Sequence, residues 1–123
     1  MKNAERYRDL KERTEEYALR MIRMCSALPE KNPVAQTLGR QVLRSGTSVG
    51  ANYREACRSR SKLEFISKMG DCLKELDESD YWLKLLVKSG TIGQDRMREL
   101  VRETDELTAI FVTSIKHAKE NKE

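Results

Sequence analysis

Four segments of this chain place apolar residues at alternating spacings of three and four, and this repeat restricts the possible folds more than any other feature. Such spacing puts the apolar side chains along one stripe of an α-helix, and that stripe must be buried against other helices. In the first segment the stripe comprises Tyr7, Leu10, Thr14, Tyr17, Met21, Met24 and Leu28. The repeat therefore predicts long amphipathic helices. No segment has the spacing of two that indicates a β-strand.

Helix-capping residues divide the chain between these segments. Asn32, which precedes a proline, is typical of a helix N-terminus, and Ser61 with Glu64 three residues later forms a capping box. Because the turns between the segments are short, we predict an all-α fold: an antiparallel up-down-up-down four-helix bundle. It forms one domain, residues 1–123, with helices at about 3–28, 33–58, 61–88 and 93–120.

Composition limits the class of protein. With 123 residues, of which 36% are charged, the chain suits a single helical domain with a charged surface. No apolar run approaches the roughly 20 residues that cross a bilayer, and the charged N-terminus does not resemble a signal peptide. We therefore expect no membrane association and a cytoplasmic location.

Cysteine and histidine usage argues against a disulfide framework and a metal site. Cys25, Cys57 and Cys72 are widely spaced and fall on core-facing sides or flanks of predicted helices, which suits reduced, buried thiols. The one histidine, His117, has no cysteine pair at metal-ligand spacing to accompany it. We predict no metal, no cofactor and no catalytic residues.

Arginines form a second stripe on the predicted second helix. Four of them fall within about 40° of one line on a helix that turns 100° per residue, and two further basic residues follow in the next turn. Residues 40–68 contain seven basic and two acidic residues, so the positive charge is focused. Focused charge of this kind predicts binding to a phosphate backbone. The predicted nucleic-acid-binding residues are Arg40, Arg44, Arg54, Arg58, Arg60 and Lys62. The alternative is that these side chains pair with carboxylates of neighbouring helices or subunits.

Three glycines lie on another flank of the second helix. Each glycine inside a helix costs about 1 kcal/mol relative to alanine, so a close helix contact must compensate. Gly70 falls at the antiparallel level of Gly46 and Gly50. We therefore predict that Gly39, Gly46 and Gly50 allow the second and third helices to pack closely.

The third helix carries aromatic residues outside its apolar stripe. Tyr81, Trp82 and Leu85 point away from the stripe, and Leu86 flanks them. An exposed patch of tryptophan and tyrosine is typical of a protein interface. These four residues are the predicted oligomer interface. The alternative is that they pack loosely over the turn between the third and fourth helices.

Polar residues interrupt the predicted core at three positions. Asp80 occupies a position in the stripe of the third helix, and Thr104 on the fourth helix lies at the same antiparallel level. A buried carboxylate needs a hydrogen-bond partner, so we predict that Asp80 is buried and accepts a hydrogen bond from Thr104 or another neighbouring donor. Asn52, in the stripe of the second helix, is the third predicted buried polar residue.

A resemblance to known proteins lies in the segments RSGTSVGANYREA, LEFISKMGDCLKELDES and YWLKLL, and in the arginine-serine turn after the first of them. In these segments the sequence resembles a bacterial protein family encoded within intervening sequences of 23S ribosomal RNA genes. The family is distantly similar to the accessory variability determinant proteins of diversity-generating retroelements. The resemblance implies four-helix bundles that assemble into rings, commonly homopentamers. The family's Asn-x-x-Glu element matches Asn52 and Glu55, and its basic turn matches Arg58 to Lys62. Ala56-Cys57 stands where many relatives have Glu-Gly.

The resemblance also bears on the expected partners. The retroelement proteins are thought to bind a reverse transcriptase and its template RNA. We therefore expect a non-enzymatic homo-oligomer whose partners are further copies of itself and RNA or a nucleic-acid-processing protein. The alternative is a protein-interaction scaffold that binds no nucleic acid. Salt-dependent binding of RNA distinguishes the two classes.

Overall fold

The computed structural model describes the backbone of residues 3–120 and the side chains of residues 10–120. Its helices are α1 Asn3–Ser26, α2 Pro33–Cys57, α3 Lys62–Lys88 and α4 Gln94–Glu120. They pack as the predicted antiparallel up-down-up-down bundle, and residues 3–120 contain no β-strand. Each helix end lies within two residues of its predicted position. Tyr7, in the predicted stripe of α1, lies outside the described side chains.

The predicted caps are present at the starts of α2 and α3. Asn32 Oδ1 accepts hydrogen bonds from two backbone amides of α2, both at 3.1 Å. Ser61 Oγ accepts one from the Glu64 amide at 3.1 Å, and Glu64 Oε2 accepts one from the Arg60 amide at 2.9 Å. These bonds satisfy amides that the first turn of a helix leaves without partners. After α3, Gly90 has a φ of 79°, which a glycine adopts without steric cost.

The glycines of α2 face α1, so the prediction that they pack against α3 is wrong. A Cβ on Gly46 would lie 2.5 Å from Met21 Cγ, and a Cβ on Gly39 would lie 2.6 Å from Leu28 Cδ1. Gly70 on α3 has no heavy atom within 4 Å of the position of a Cβ. The missing side chains therefore make room for Met21 of α1 and for Leu28 in the turn that follows it. Sequence spacing identified the flank of α2 but not the helix that lies against it.

The core stripe of α3 follows Ser79, not Asp80. Ser79 is fully buried and donates a hydrogen bond to Ser45 Oγ of α2 at 2.8 Å. Asp80 is half-buried, and its Oδ2 pairs with Lys84 Nζ at 2.9 Å. Asp80 therefore has a neighbouring donor, as predicted, but the donor is Lys84 and not Thr104, and the residue is not fully buried. Because α3 packs against both α2 and α4, its buried face is broader than a single stripe, and Asp80 lies at the edge of that face.

Hydroxyl groups from all four helices meet inside the bundle. Tyr17 Oη of α1 lies 2.7 Å from Thr104 Oγ1 of α4, and both residues are fully buried. The Ser79 hydroxyl is also close to the Tyr17 hydroxyl and lowers its pKa. With Ser45 bonded to Ser79, these contacts form one polar layer: Tyr17, Ser45, Ser79 and Thr104.

Two expectations concern single residues of α2. Cys57 at its end is exposed, unlike Cys72, which is buried, so the prediction of buried thiols fails for Cys57. Asn52 is half-buried and not fully enclosed. Within the described helices, none is long and apolar enough to traverse a lipid bilayer.

Candidate functional site

The turn between α2 and α3 presents three cationic side chains within five residues: Arg58, Arg60 and Lys62. We call these three residues the basic turn. Arg58 is the C-cap of α2, with φ −101° and ψ 11°, and its amide bonds to carbonyls of the last α2 turn. The Ser61 cap at the start of α3 holds the backbone of the turn in place, and the basic side chains extend outward from it. The turn therefore holds these charged side chains on a fixed backbone.

No side chain of the basic turn makes an ion pair with residues 10–120. Arg58 and Arg60 are exposed, and Lys62 is half-buried. Their charges are therefore available to an external anion. Glu64 is the nearest carboxylate in sequence, and its Oε2 accepts a hydrogen bond from the Arg60 backbone amide.

The last turn of α4 adds positive charge to the same end of the bundle. In an antiparallel bundle α4 ends where α3 begins, and exposed Lys119 lies in that last turn next to exposed Glu120. Exposed Lys116 lies three residues before Lys119. The two lysines therefore lie at the same end of the molecule as the basic turn.

Two arginines of the predicted stripe contact carboxylates of neighbouring helices. Arg44 pairs with Glu78 of α3 and lies 3.5 Å from Glu75 Oε1. Arg54 Nη2 lies 3.9 Å from Glu15 Oε2 of α1, at the limit of an ion pair. For Arg44 and Arg54, these contacts agree with the alternative to nucleic-acid binding, in which the arginines pair with carboxylates of neighbouring helices. Arg40 is exposed and makes no ion pair with the described side chains.

The Asn-x-x-Glu element lies on α2 just before the basic turn. Glu55 Oε1 accepts a hydrogen bond from Lys68 Nζ of α3 at 2.7 Å. This hydrogen bond is the main cause of the raised pKa of Lys68. Glu55 therefore links α2 to α3 beside the turn.

The predicted aromatic interface divides into exposed and buried parts. Tyr81 is 57% exposed, while Trp82 is half-buried against the core. Their rings meet edge to face, with centroids 5.1 Å apart and planes at 62°. Leu85 is half-buried, but Leu86 is fully buried. Leu86 is therefore wrong as an interface residue, because the core stripe of α3 runs through Leu83 to Leu86.

A second exposed apolar cluster, on α1 and α2, was not predicted. Leu19 and Ile22 are 41% and 43% exposed, and Leu43 is 36% exposed. A groove of about 240 Å³ runs between the two helices beside them. Leu19 and Ile22 are apolar residues outside the core stripe of α1, which is the sequence signal that could have identified the cluster.

Within the described residues, no group of three or more histidine, cysteine or acidic side chains is placed to hold a metal ion. Cys72 is buried, and burial raises the pKa of its thiol to about 12. A thiol with that pKa is protonated at neutral pH and is a poor nucleophile. These residues therefore suggest neither a metal site nor a reactive Cys72 thiol. The positive charge at the α2–α3 end is the most distinctive chemical feature of the described surface.

Comparison with known proteins places this architecture in a family. A crystal structure of a protein with unknown function from the S23 ribosomal protein family of Bacteroides thetaiotaomicron matches with a TM-score of 0.81 and 32% sequence identity. The match covers 89% of this chain and 97% of that one. The search of curated proteins finds no match. The model of the 23S rRNA-intervening sequence protein family matches residues 7–113. This chain therefore belongs to the 23S rRNA-intervening sequence protein family.

Proposed function

We propose that this protein is a non-enzymatic homo-oligomer that binds RNA through its basic turn. The observation that carries the proposal is the unpaired state of Arg58, Arg60 and Lys62 among the described residues. A phosphate backbone is a suitable partner, because each cation that neutralises a phosphate releases condensed counterions. The family's description refers to 23S rRNA, which makes a structured fragment of that RNA the appropriate probe.

Ion pairing separates the basic turn from Arg44 and Arg54 of the predicted stripe, while Arg40, unpaired among the described side chains, lies nearer the opposite end of α2. Arg44 and Arg54 already contact carboxylates of α3 and α1, so an RNA phosphate would have to compete with those groups. The basic turn has no such competitor among the described side chains. We therefore narrow the proposed RNA contact to the turn, supported by Lys116 and Lys119 at the same end.

Assembly would strengthen this contact. Each copy carries one basic turn, and several turns fixed on a ring act at a high effective concentration toward one RNA. Tyr81, Trp82 and Leu85 are the proposed interface residues, since tyrosine and tryptophan often supply most of the energy of an interface. Sedimentation of the wild type should therefore give a mass several times 14.3 kDa.

The test measures binding of a 23S rRNA fragment over a series of salt concentrations. The affinity of the wild type for the RNA should fall steeply as the salt concentration rises. The triple variant Arg58→Glu, Arg60→Glu, Lys62→Glu should bind the RNA more weakly, and its affinity should depend less on the salt concentration. The matched control reverses three cations at the opposite end of the bundle that make no ion pair with the described side chains: Lys31, Lys88 and Arg96. Both variants change the net charge by the same amount. Equal losses in the two would contradict a specific role of the turn.

One observation favours the alternative of a protein-interaction scaffold. Leu63, next to the basic turn, is 80% exposed, and an apolar side chain there gives nothing to a phosphate backbone. A protein partner with acidic and apolar residues would use both. Two results together would replace RNA binding with the scaffold as the proposed function. The wild type would bind no RNA at low salt, and it would co-purify with one protein that no longer co-purifies with the Leu63→Ser variant.

A further inference from the structure

We infer that the cleft between the end of α3 and the start of α4 binds a small monocarboxylate with an alkyl chain, such as a medium-chain fatty acid. The cleft has a volume of about 500 Å³, within the roughly 300–1,000 Å³ of pockets that hold small molecules. It lies at the opposite end of the bundle from the basic turn, because α3 begins at that turn and ends at this cleft. The inference is therefore independent of the proposed RNA contact.

Apolar side chains supply one part of the lining. Val87 of α3 and Val101 of α4 are half-buried and pack against the core, and Met97 of α4 is almost fully buried. Val101 follows Met97 by four residues, so the two lie on the same side of α4. An alkyl chain that covers these side chains would be removed from water together with them.

Cationic side chains supply most of the remaining lining. Lys84 and Lys88 are four residues apart on α3, and Arg98 belongs to α4, so both helices that form the cleft contribute positive charge. Gln94 completes the lining and is uncharged. Within the part of the chain that the structure describes, no acidic residue lines the cleft. The lining therefore combines an apolar surface with charge of one sign.

Ion pairs with carboxylates outside the cleft leave this positive charge partly available. Lys84 Nζ pairs with Asp80 Oδ2 at 2.9 Å, and Arg98 Nη2 pairs with Asp95 Oδ1. A lysine ammonium has three N–H donors and an arginine guanidinium has five, so both groups keep donors for a ligand. Lys88 is exposed and makes no ion pair with the described side chains. Lys88 is therefore the principal anchor for an anion.

The two parts of the lining together select the class of ligand. A phosphate backbone would leave the two valines uncovered, and an uncharged alkyl compound would leave Lys88 without an anion. A monocarboxylate with an alkyl chain uses both parts. Its carboxylate accepts charge-assisted hydrogen bonds at Lys88, and its chain lies along Val87, Met97 and Val101.

Isothermal titration calorimetry of the wild type with a series of carboxylates tests the alkyl part. The affinity should rise about two- to fourfold for each added methylene from hexanoate through octanoate to decanoate, where fourfold corresponds to complete burial. Acetate lacks the chain and should not bind. The absence of saturable binding of decanoate below the concentration at which it forms micelles overturns the inference.

A ligand of opposite charge tests the cationic part. Octylamine has the same alkyl chain as octanoate and carries a positive charge at neutral pH. It should bind at least about tenfold more weakly than octanoate, because its ammonium group would be repelled by Lys88. Equal affinities for the two compounds would overturn the inference, since the cleft would then select the chain alone.

Two single variants test the position of the site. Lys88→Gln should weaken octanoate binding at least about fivefold, because it removes the unpaired cation of the lining. The matched control Lys31→Gln removes the same charge from an exposed residue at the same end of the bundle but outside the cleft, and it should bind octanoate as the wild type does. Equal losses in the two variants would show general attraction of anions and overturn the site.

A third variant fills the cleft. Val101→Phe places a larger apolar side chain in the lining and should remove the dependence of affinity on chain length. An unchanged dependence in the folded variant would place the alkyl chain elsewhere and overturn the inference. If Val101→Phe does not fold, the comparison of Lys88→Gln with Lys31→Gln still decides the position, because both lysines are exposed.

Discussion

The hydroxyl of Tyr17 and Oγ1 of Thr104 lie 2.7 Å apart in the core and join α1 to α4. Thr104 also donates to the Leu100 carbonyl at 2.8 Å, so the Tyr17 hydroxyl is the donor in the bond between them. The backbones of α1 and α4 approach each other less closely than those of the other neighbouring helices. Side-chain contacts such as this hydrogen bond therefore connect the two helices on this side of the bundle. Arg13 contributes as well, since its guanidinium pairs with Glu103 at 2.7 Å.

Tyr17→Phe should lower the free energy of unfolding by about 1 kcal/mol, the net value of a typical hydrogen bond. Phenylalanine fills the same space, and Thr104 keeps its bond to Leu100. Thr104→Val should cost more, about 1 to 3 kcal/mol, because it takes away the acceptor of the Tyr17 hydroxyl. Urea unfolding of the two single variants and the double variant measures the coupling. Purely additive effects would mean that the two hydroxyls are not coupled.

Alkaline pH should destabilise the protein through Tyr17. Burial is the largest cause that raises the pKa of Tyr17 from 10.0 to about 12, while the Thr104 and Ser79 hydroxyls lower it. The unfolded chain therefore loses this proton first, so the contribution of Tyr17 to stability is complete below pH 10 and is lost as pH rises toward 12.

The Tyr17→Phe variant isolates this contribution from other groups that titrate at alkaline pH. The wild type should lose stability faster than the variant, by at most about 1.4 kcal/mol per pH unit for one proton. Urea midpoints measured in steps from pH 8 to 12 test it. Parallel pH profiles would contradict the raised pKa.

Two glycine substitutions should have opposite effects. Gly46→Ala should destabilise the protein by about 1 to 3 kcal/mol, because the new Cβ would overlap Met21 Cγ. Gly70→Ala should stabilise it by about 0.5 to 1 kcal/mol, because the site is open and alanine favours a helix. Thermal unfolding of both variants is the measurement. A destabilising Gly70→Ala would contradict the open site and indicate that Gly70 packs closely against α2.

Reversing Arg44 should weaken the bundle without affecting RNA. Arg44→Glu would face Glu78 and Glu75 of α3 and lower the unfolding free energy by about 1 kcal/mol, the upper range for surface charge pairs. Adding Glu78→Arg should recover much of this loss. Affinity for the 23S rRNA fragment should stay at the wild-type value. A loss of RNA affinity with unchanged stability would return Arg44 to the RNA-binding surface.

The fold could be predicted because its determinants are local in sequence. The three-four spacing of apolar residues and the caps at Asn32 and Ser61 indicate the helices and turns without knowledge of the tertiary contacts. The contacts of Gly46 and Asp80 could not be read in this way. A helical pattern gives the direction of a residue on its own helix, but not which neighbouring helix lies there or how wide the buried face is.

The site was less predictable than the fold for a related reason. Sequence indicated that positive charge is concentrated between Arg40 and Lys62, but ion pairing depends on the neighbouring helices. Arg44 meets carboxylates of α3, whereas Arg58 and Arg60 extend from a turn and meet none among the described side chains. The exposure of Leu43 likewise depends on how far α1 covers α2.

The polar layer of Tyr17, Ser45, Ser79 and Thr104 also restricts how the helices can slide. A helix displaced by one turn, about 5.4 Å, would still bury much of its apolar stripe, so apolar burial alone discriminates weakly between such alignments. It would, however, carry its hydroxyl out of the layer and leave buried partners without hydrogen bonds, at about 1 to 3 kcal/mol each. The layer thus acts as a common alignment mark for all four helices. Any surface that spans two helices, such as the α1–α2 groove, depends on that alignment.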